Sequence, residues 1–354
     1  MNMENILPYK FIFYSNNMMS KKEWKKIYKE KCDNLPQLPS VLPPVKRIIV
    51  IGDLHGDWKM TIKSLKIGKV IDSKNKWIGG ETIVVQVGDQ IDRCRFSGID
   101  CNLPTATKDD EASDMKILNF FTSLHQEAQK VGGAVYSIIG NHELMNVKGD
   151  MRYVSHDNIK DFDNYETTEG KIINDGIEAR KWAFTPGNPI ANFLGCTRQL
   201  SLIIGSNLFV HAGIIPKIAK KYGVQDMNQI LSLFLWDKLN DNIDHQELLD
   251  SSDYSPLWNR VFGSKTKSAQ TCDSLMSPLK EIYKVDRMFI GHNAQTESGI
   301  TNTCDGRVWL TDYGASNAFN EFDTFYLENN IRSEVREAQV LEILDDGAKI
   351  NILK

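Results

Sequence analysis

Six short apolar runs constrain this chain more than any other feature: "RIIVIG" (47–52), "TIVVQVG" (82–88), "AVYSIIG" (134–140), "LSLIIG" (200–205), "NLFVHAG" (207–213) and "RMFIGH" (287–292). They are rich in β-branched residues and too short for independent helices, so they read as strands. Between the second and third lies "SDMKILNFFTSLHQEAQKVGG", where Met115, Leu118, Phe121 and Leu124 recur three apart. Ser113 is placed to cap that helix and Gly132 to end it. Strands alternating with helical segments predict a mixed α/β fold with helices covering the sheet faces. In the tail, "RVWLTDYG", "FDTFYLE" and "EVREAQVLEILDD" read as closing antiparallel strands.

The chemistry lies where the runs end. The first leads into Asp53, His55 and Asp57, the second into Asp89, Asp92 and Arg93, and the third into Asn141, His142 and Glu143. "VHAG" adds His211 and "GHN" adds His292. A single turn of this kind would mean little, because Gly and Asp favour turns on steric grounds. Five such ends are another matter, since open α/β sheets bind ligands at their strand ends. Four of the seven histidines sit there, while His125, His156 and His245 lie in helical or polar stretches and read as solvated or helix-surface residues. Asp, His and Asn without cysteine suit Mn, Fe or Zn. Two such ions about 3.5–4 Å apart can clamp a phosphoryl oxygen and acidify a bridging water. The inventory also holds an arginine fork for phosphate oxygens and an acid for a leaving group.

Bulk properties narrow the setting. The chain has 354 residues, 41% hydrophobic and 25% charged, enough for one large domain or two small ones. Its net charge of −4, with no long basic block, gives no support for a nucleic-acid partner. No apolar run reaches membrane-span length, and the N-terminus lacks the pattern of a secretory signal. The six cysteines are scattered without a CxxC pair and read as reduced thiols of a cytoplasmic protein. Residues 1–45 read as an N-terminal extension: an amphipathic helix in "SKKEWKKIYKEKCDN", with Trp24, Ile27 and Tyr28 on one face, then the proline-rich connector "LPQLPSVLPPVK". Residues 46–354 read as a catalytic domain with an aperiodic insertion at 95–111 and a small helical lobe at about 215–285. A functional loop and a harmless surface insertion are both open for 95–111.

Taken together, "GDLHG", "GDQIDRC", "GNHE", "HAG" and "GH" resemble the ordered motifs of the calcineurin-like metallophosphoesterases, and within them the phosphoprotein phosphatase family. "GGAVYSIIGNHELMNVKGDMRYV" (132–154), "EARKWAFTPGNPIANFL" (178–194) and "WLTDYGASNAF" (309–319) are similar to its Shewanella-like, bacterial-type branch. The resemblance implies a central β-sandwich flanked by α-helices, with a dinuclear metal site at the strand ends. It implies that Asp53 and His55 ligate a first ion, that Asp89 bridges, and that Asn141, His211 and His292 complete a second. His142 would be the general acid, oriented by Asp92, and Arg93 and Arg260 would hold the phosphate. For both arginines a surface ion pair is the alternative. Asp57 is left to the turn or to a supporting role.

The implied activity is hydrolysis of phosphomonoesters on phosphoproteins or phosphopeptides (Ser/Thr or Tyr) by direct attack of a metal-bound hydroxide, with Mn, Fe or Zn as cofactors. A regulatory partner is not specified, and no membrane is implied. A dinucleoside polyphosphate hydrolase, or another small-molecule phosphoesterase, would carry the same motifs. A non-catalytic scaffold would lack ligands, and none is missing. The chief departure is Cys94, where the family has glycine beside the phosphate site. Cys94 and Cys101 are near enough to pair as a redox switch, whereas two free thiols in a surface loop is the reading a cytoplasmic setting favours.

Overall fold

Burial explains why the apolar runs become strands. Arg47–Ile51, Ile83–Gln86 and Ala134–Ile138 are hidden on both faces, apart from half-buried Arg47 at the edge. A parallel strand in that position reads as one continuous apolar run. The three pair in parallel, Ile48 opposite Ile83 and Ile83 opposite Ala134. The computed structural model describes residues 19–32, 35–95, 98, 100–239, 245–264 and 266–354. Residues 1–18 of the expected extension and 96, 97 and 99 of the insertion lie outside the described residues.

Two six-stranded sheets form the body. The first runs Lys349–Leu353, Val340–Leu344, Arg47–Ile51, Ile83–Gln86, Ala134–Ile138, Arg198–Gln199. The second runs Val41–Leu42, Ser201–Ile204, Asn207–Val210, Arg287–Ile290, Val308–Leu310, Thr301–Thr303. Ile48, Val50, Val85 and Tyr136 of the first meet Leu202, Phe209 and Phe289 of the second in one apolar cluster. On the outer face of the first sheet, Ile49, Ile51 and Val84 pack under helices Trp58–Ile67 and Asp114–Gln129 through Leu65, Ile117 and Phe121. On the outer face of the second, Leu208, Val210 and Ile290 pack under helices Val224–Leu235 and Ala269–Tyr283 through Leu231, Met276 and Leu279. This is the expected helix-flanked sandwich, with every apolar sheet face covered.

Several local expectations change. Ser113 precedes helix Asp114–Gln129, yet its hydroxyl donates to the carbonyl of Gly56 instead of capping. "FDTFYLE" is a helix, Thr324–Asn329, because Asp323 accepts from the Tyr326 amide as an N-cap. Val308–Leu310 pairs in parallel with Arg287–Ile290 and antiparallel with Thr301–Thr303. Of the three tail segments, only the last joins as a purely antiparallel strand, Val340–Leu344, between Arg47–Ile51 and Lys349–Leu353. The proline-rich stretch also contributes: Val41 and Leu42 pair with Ile203 and Ile204.

The cysteines depart furthest from expectation. All six are paired, as Cys32–Cys196, Cys94–Cys101 and Cys272–Cys304. The first ties helix Lys21–Cys32 to helix Pro189–Thr197, while Trp24 packs against Trp236 with ring centroids 5.2 Å apart. Cys94 and Cys101 are buried, not exposed thiols of a surface loop. Two of the pairs join positions 164 and 32 residues apart, a proximity that spacing along the chain does not reveal. Among the described residues no helix is long and apolar enough to cross a membrane.

Candidate metal centre

The strand ends bring their polar residues together through unusual backbone. His55 (φ 41°), Asp89 (φ 52°), Asp92 (φ 71°) and His292 (φ 64°) all lie in the left-handed region. Asp and His tolerate it better than most residues, but each instance costs on the order of 1 kcal/mol and concentrates at functional sites. Glycine permits the close approach: a Cβ on Gly140 would collide with Asp89, and one on Gly291 with Asp53. The turns are laced to one another as well. The amides of Leu54 and His55 both donate to the Asp89 carbonyl at 2.9 Å. Glu143 accepts from the amides of Gly140 (2.6 Å), Gln90 (2.7 Å) and Asp89 (3.1 Å). Burial, with Asp89 nearby, pushes its carboxyl up to about 7.

Two donor groups result. Atoms of His55, Asp89 and His142 lie within 4.8 Å of one another, and so do those of Asp89, His211 and His292. Asp89 belongs to both, its Oδ2 lying 3.7 Å from His55 Nε2 and 3.3 Å from His211 Nε2. Asp53 reaches the first group, with Oδ2 3.8 Å from His55 Nε2. Asn141 reaches the second, with Oδ1 2.8 Å from His211 Nε2 and 2.9 Å from His292 Nδ1. His211 Nδ1 donates to the Val87 carbonyl at 2.8 Å, leaving Nε2 free to ligate. The structure thus brings all six expected ligands to one place.

The electrostatics fit cations. Asp53 Oδ1 is buried with no hydrogen-bond partner among the described residues. Burial, with Asp312 and Asp89 beside it, holds the Asp53 carboxyl well above its usual range. Burial would also raise Asp89, but the imidazoles of His211 and His142 prevail and hold it well below. Burial and then Arg95 push His55 down, and burial, His211 and Arg260 push His292 down to about 3. Imidazoles, crowded carboxylates and an amide oxygen, without thiolate, are the donor set first-row cations prefer.

Beneath the ligands runs a buried relay. His142 Nδ1 meets Asp92 Oδ2 at 2.8 Å, and Asn146 Nδ2 donates to Asp92 Oδ1 at 2.9 Å. Arg180, fully buried, donates from Nε to Asn146 Oδ1 at 2.8 Å and from Nη2 to Asp114 Oδ2 at 2.7 Å. Asn146, Arg180, Asp114, Asp312 and the stapling role of Glu143 escaped the sequence reading. Arg180 stands within "EARKWAFTPGNPIANFL", so its presence was visible, but its partners lie 34 and 66 residues away.

The arginines divide. Arg260 is exposed and donates to the His292 carbonyl at 3.1 Å, at the mouth of the site. Arg93 is buried and donates to the Gly56 carbonyl, Glu111 Oε1 and the Asp109 carbonyl, each at 2.9 Å. Those bonds tie Nη1 and Nη2 to the Gly56 turn and the insertion, while Nε is buried with no hydrogen-bond partner among the described residues. Asp57 supports the turn, accepting from the amides of Met60 and Asn317 at 2.9 Å. Of the three remaining histidines, His125 is buried and accepts from the Val135 amide at 3.2 Å, so it is not a solvated residue. His156 meets the Asn102 carbonyl at 2.9 Å, and His245 precedes the short helix Gln246–Leu249.

Comparison with known proteins agrees with this geometry. The family model for calcineurin-like phosphoesterases matches residues 46–295. An uncharacterised protein of Acanthamoeba polyphaga mimivirus is 32% identical over 251 residues, covering 64% of this chain and 95% of that protein. Shewanella-like protein phosphatase 2 of Arabidopsis thaliana is 29% identical over 301 residues, covering 77% of this chain and 72% of its own length. The crystal structure of a cold-active protein-tyrosine phosphatase from a psychrophilic Shewanella species shares the fold, with a TM-score of 0.57 at 19% identity, covering 91% of this chain and 88% of that one. With the matched region spanning every ligand-bearing strand end, the chain belongs to the calcineurin-like phosphoesterase family and is a metal-using phosphoesterase.

Proposed function

We propose that the protein is a protein phosphatase that cleaves phosphomonoesters at a dinuclear centre. The observation that carries this is the sharing of Asp89 between two donor groups, with His142 beside it and held by Asp92. Asp53, His55 and Asp89 would hold one ion, and Asp89, Asn141, His211 and His292 the other, with Mn, Fe or Zn as candidates. When bound, the pair supplies Lewis acidity toward phosphoryl oxygens and a nucleophile drawn from water at neutral pH.

The chain's own groups do the rest. Asp92 accepts from Nδ1 of His142, fixing the tautomer and leaving Nε2 to deliver a proton to the leaving oxygen. Asn146 and Arg180 hold Asp92 in turn. Arg260, at the mouth, holds a phosphate oxygen, while Arg93 secures the insertion. The phosphatase names of the Arabidopsis relative and of a 26% identical Plasmodium berghei relative favour phosphoproteins, and the tyrosine phosphatases among the fold neighbours bring phosphotyrosine within range. Residues 46–354 serve as the catalytic domain in this reading. Three disulfides favour an oxidising compartment over the cytoplasm expected from sequence.

The test is hydrolysis of phosphotyrosine and phosphothreonine peptides and of a dinucleoside tetraphosphate, with added Mn and after chelation. Metal-dependent phosphopeptide turnover is expected, falling about 100-fold or more in Asp89→Asn and His142→Asn. Turnover of the dinucleotide alone would overturn the phosphatase reading.

A further inference from the structure

Two residues beyond Arg93, a second arginine lines the same cavity. The Arg95 guanidinium sits 4.5 Å from the ring centroid of Phe319 and 5.7 Å from that of Tyr153. Each ring also borders the catalytic cluster: Phe319 lies 5.4 Å from the ring of His55, and Tyr153 lies 4.9 Å from the ring of His142. Arg95 is therefore bracketed by two aromatic side chains directly over the imidazoles that flank Asp89. Among the described residues it forms no ion pair, and its hydrogen bonds, to the carbonyls of Asp92 (3.2 Å) and Cys94 (2.9 Å), come from Nη1 alone. Nε and Nη2 are left for something else. The nearest charges are acidic: Asp89, Asp92, Asp312 and Asp53 all act on it.

The surroundings fix this placement. The Cys94–Cys101 bridge closes a short loop around Arg95, and both sulfurs are buried. Beyond the guanidinium opens a cavity of about 90 Å³ between the insertion and the segment 317–326, lined by Arg93, Thr107, Lys108, Asn317 and Tyr326. A cation on an aromatic platform, with two free donor directions and an adjoining polar cavity, is suited to a planar, bidentate hold on a phosphate group.

We propose that Arg95 is a substrate-binding residue, gripping the phosphate with Nε and Nη2 while Phe319 and Tyr153 hold its plane. It stands beside Arg93 in the wall of that cavity as a further phosphate-binding residue, and the inference rests on the reading of the centre as a phosphatase. The cavity beside it receives the substrate backbone next to the phosphorylated residue.

Binding and turnover together test it. Binding of inorganic phosphate to the Mn-loaded full-length protein, by titration calorimetry, is measured beside kcat and KM on a phosphopeptide. Arg95→Ala should weaken phosphate binding about tenfold or more and raise KM, the usual loss for a charge-assisted contact. Arg95→Lys, which keeps the charge without the fork, should recover part of the affinity. Phe319→Leu, which removes the platform and leaves the charge, should weaken phosphate by a smaller factor. Unfolding midpoints and metal content confirm that each variant is folded and loaded. Phosphate affinity within twofold of wild type in folded Arg95→Ala, with wild-type turnover intact, would overturn this inference alone. A wild-type protein that neither binds phosphate nor cleaves any phosphoester would overturn the phosphatase reading with it.

Discussion

The floor and the rim of the catalytic centre are built on different principles. The floor, His142–Asp92–Asn146–Arg180–Asp114, is buried throughout, and every member bonds to the next. The rim, made of the insertion and the segment 317–336, is held by a few separate clasps. Lys108 reaches the Tyr326 hydroxyl at 3.2 Å, Asp323 accepts from Arg336 at 2.9 Å, and the Cys94–Cys101 bridge closes the loop covalently. In the floor no water can replace a lost partner, so each bond is obligatory. On the rim the Lys108–Tyr326 contact faces solvent, while the Asp323–Arg336 pair and the Cys94–Cys101 bridge are buried but separate, so no continuous chain of bonds runs through it. Catalytic geometry should therefore depend on the floor, and substrate recognition on the rim.

Breaking the floor should produce the largest effect. Arg180→Met removes the only cation bonded to Asp114 among the described residues and leaves buried carboxylates short of a partner. Burial already pushes Asp114 up to about 6 despite that partner. A loss of about 3–5 kcal/mol is expected in denaturant unfolding. Asp92→Asn should sharpen the contrast by separating function from stability: kcat falls about 100-fold or more while KM changes little. A raised KM with kcat preserved would contradict the division of labour.

Opening the rim should act in the other direction. Replacing Cys94 and Cys101 together with serine releases a short loop and should cost about 2 kcal/mol by loop-closure entropy. Its kinetic signature is a rise in KM with kcat largely retained, because Arg95 loses its fixed placement while the His142 relay is untouched. Unchanged KM in the folded double variant would show that the rim is held by its noncovalent clasps alone.

The smallest effect concerns acid. Burial raises Asp323, but the amides of Ser333 and Tyr326, the Ser333 hydroxyl and the Arg336 guanidinium outweigh it and hold the carboxyl at about 2. Its folded value lies below the unfolded value of about 3.9, so its stabilisation is complete above that pH and is lost as pH falls through about 2. Between pH 5 and pH 2 wild type should lose roughly 1 kcal/mol more than Asp323→Asn, after solvent screening. Parallel curves for the two proteins would remove Asp323 from the rim's clasp.

The division between floor and rim also marks what the sequence could reveal. The strands, their order along the chain, and the strand-end positions of Asp53, His55, Asp89, Asn141, His211 and His292, which the structure brings together, were legible, because each depends on a few adjacent residues. An apolar run buries a strand, and the glycine and polar residues after it shape the turn that exposes a donor. The strand at Val41–Leu42 and the helix at Thr324–Asn329 were not, since pairing with Ile203 and capping by Asp323 override weak local preference.

Only the tertiary structure decided which cysteines meet, which arginine turns toward the centre, and what stands behind Asp92. Arg93 and Arg95 are two residues apart and chemically identical. Glu111 captures one, and the rings of Tyr153 and Phe319 hold the other. Those partners lie 18, 58 and 224 residues away, and no property of the arginines themselves separates them. Composition and local pattern determine which groups a strand end can present. The packing of distant segments determines which way each group points, because a buried charge or donor goes where its partner is.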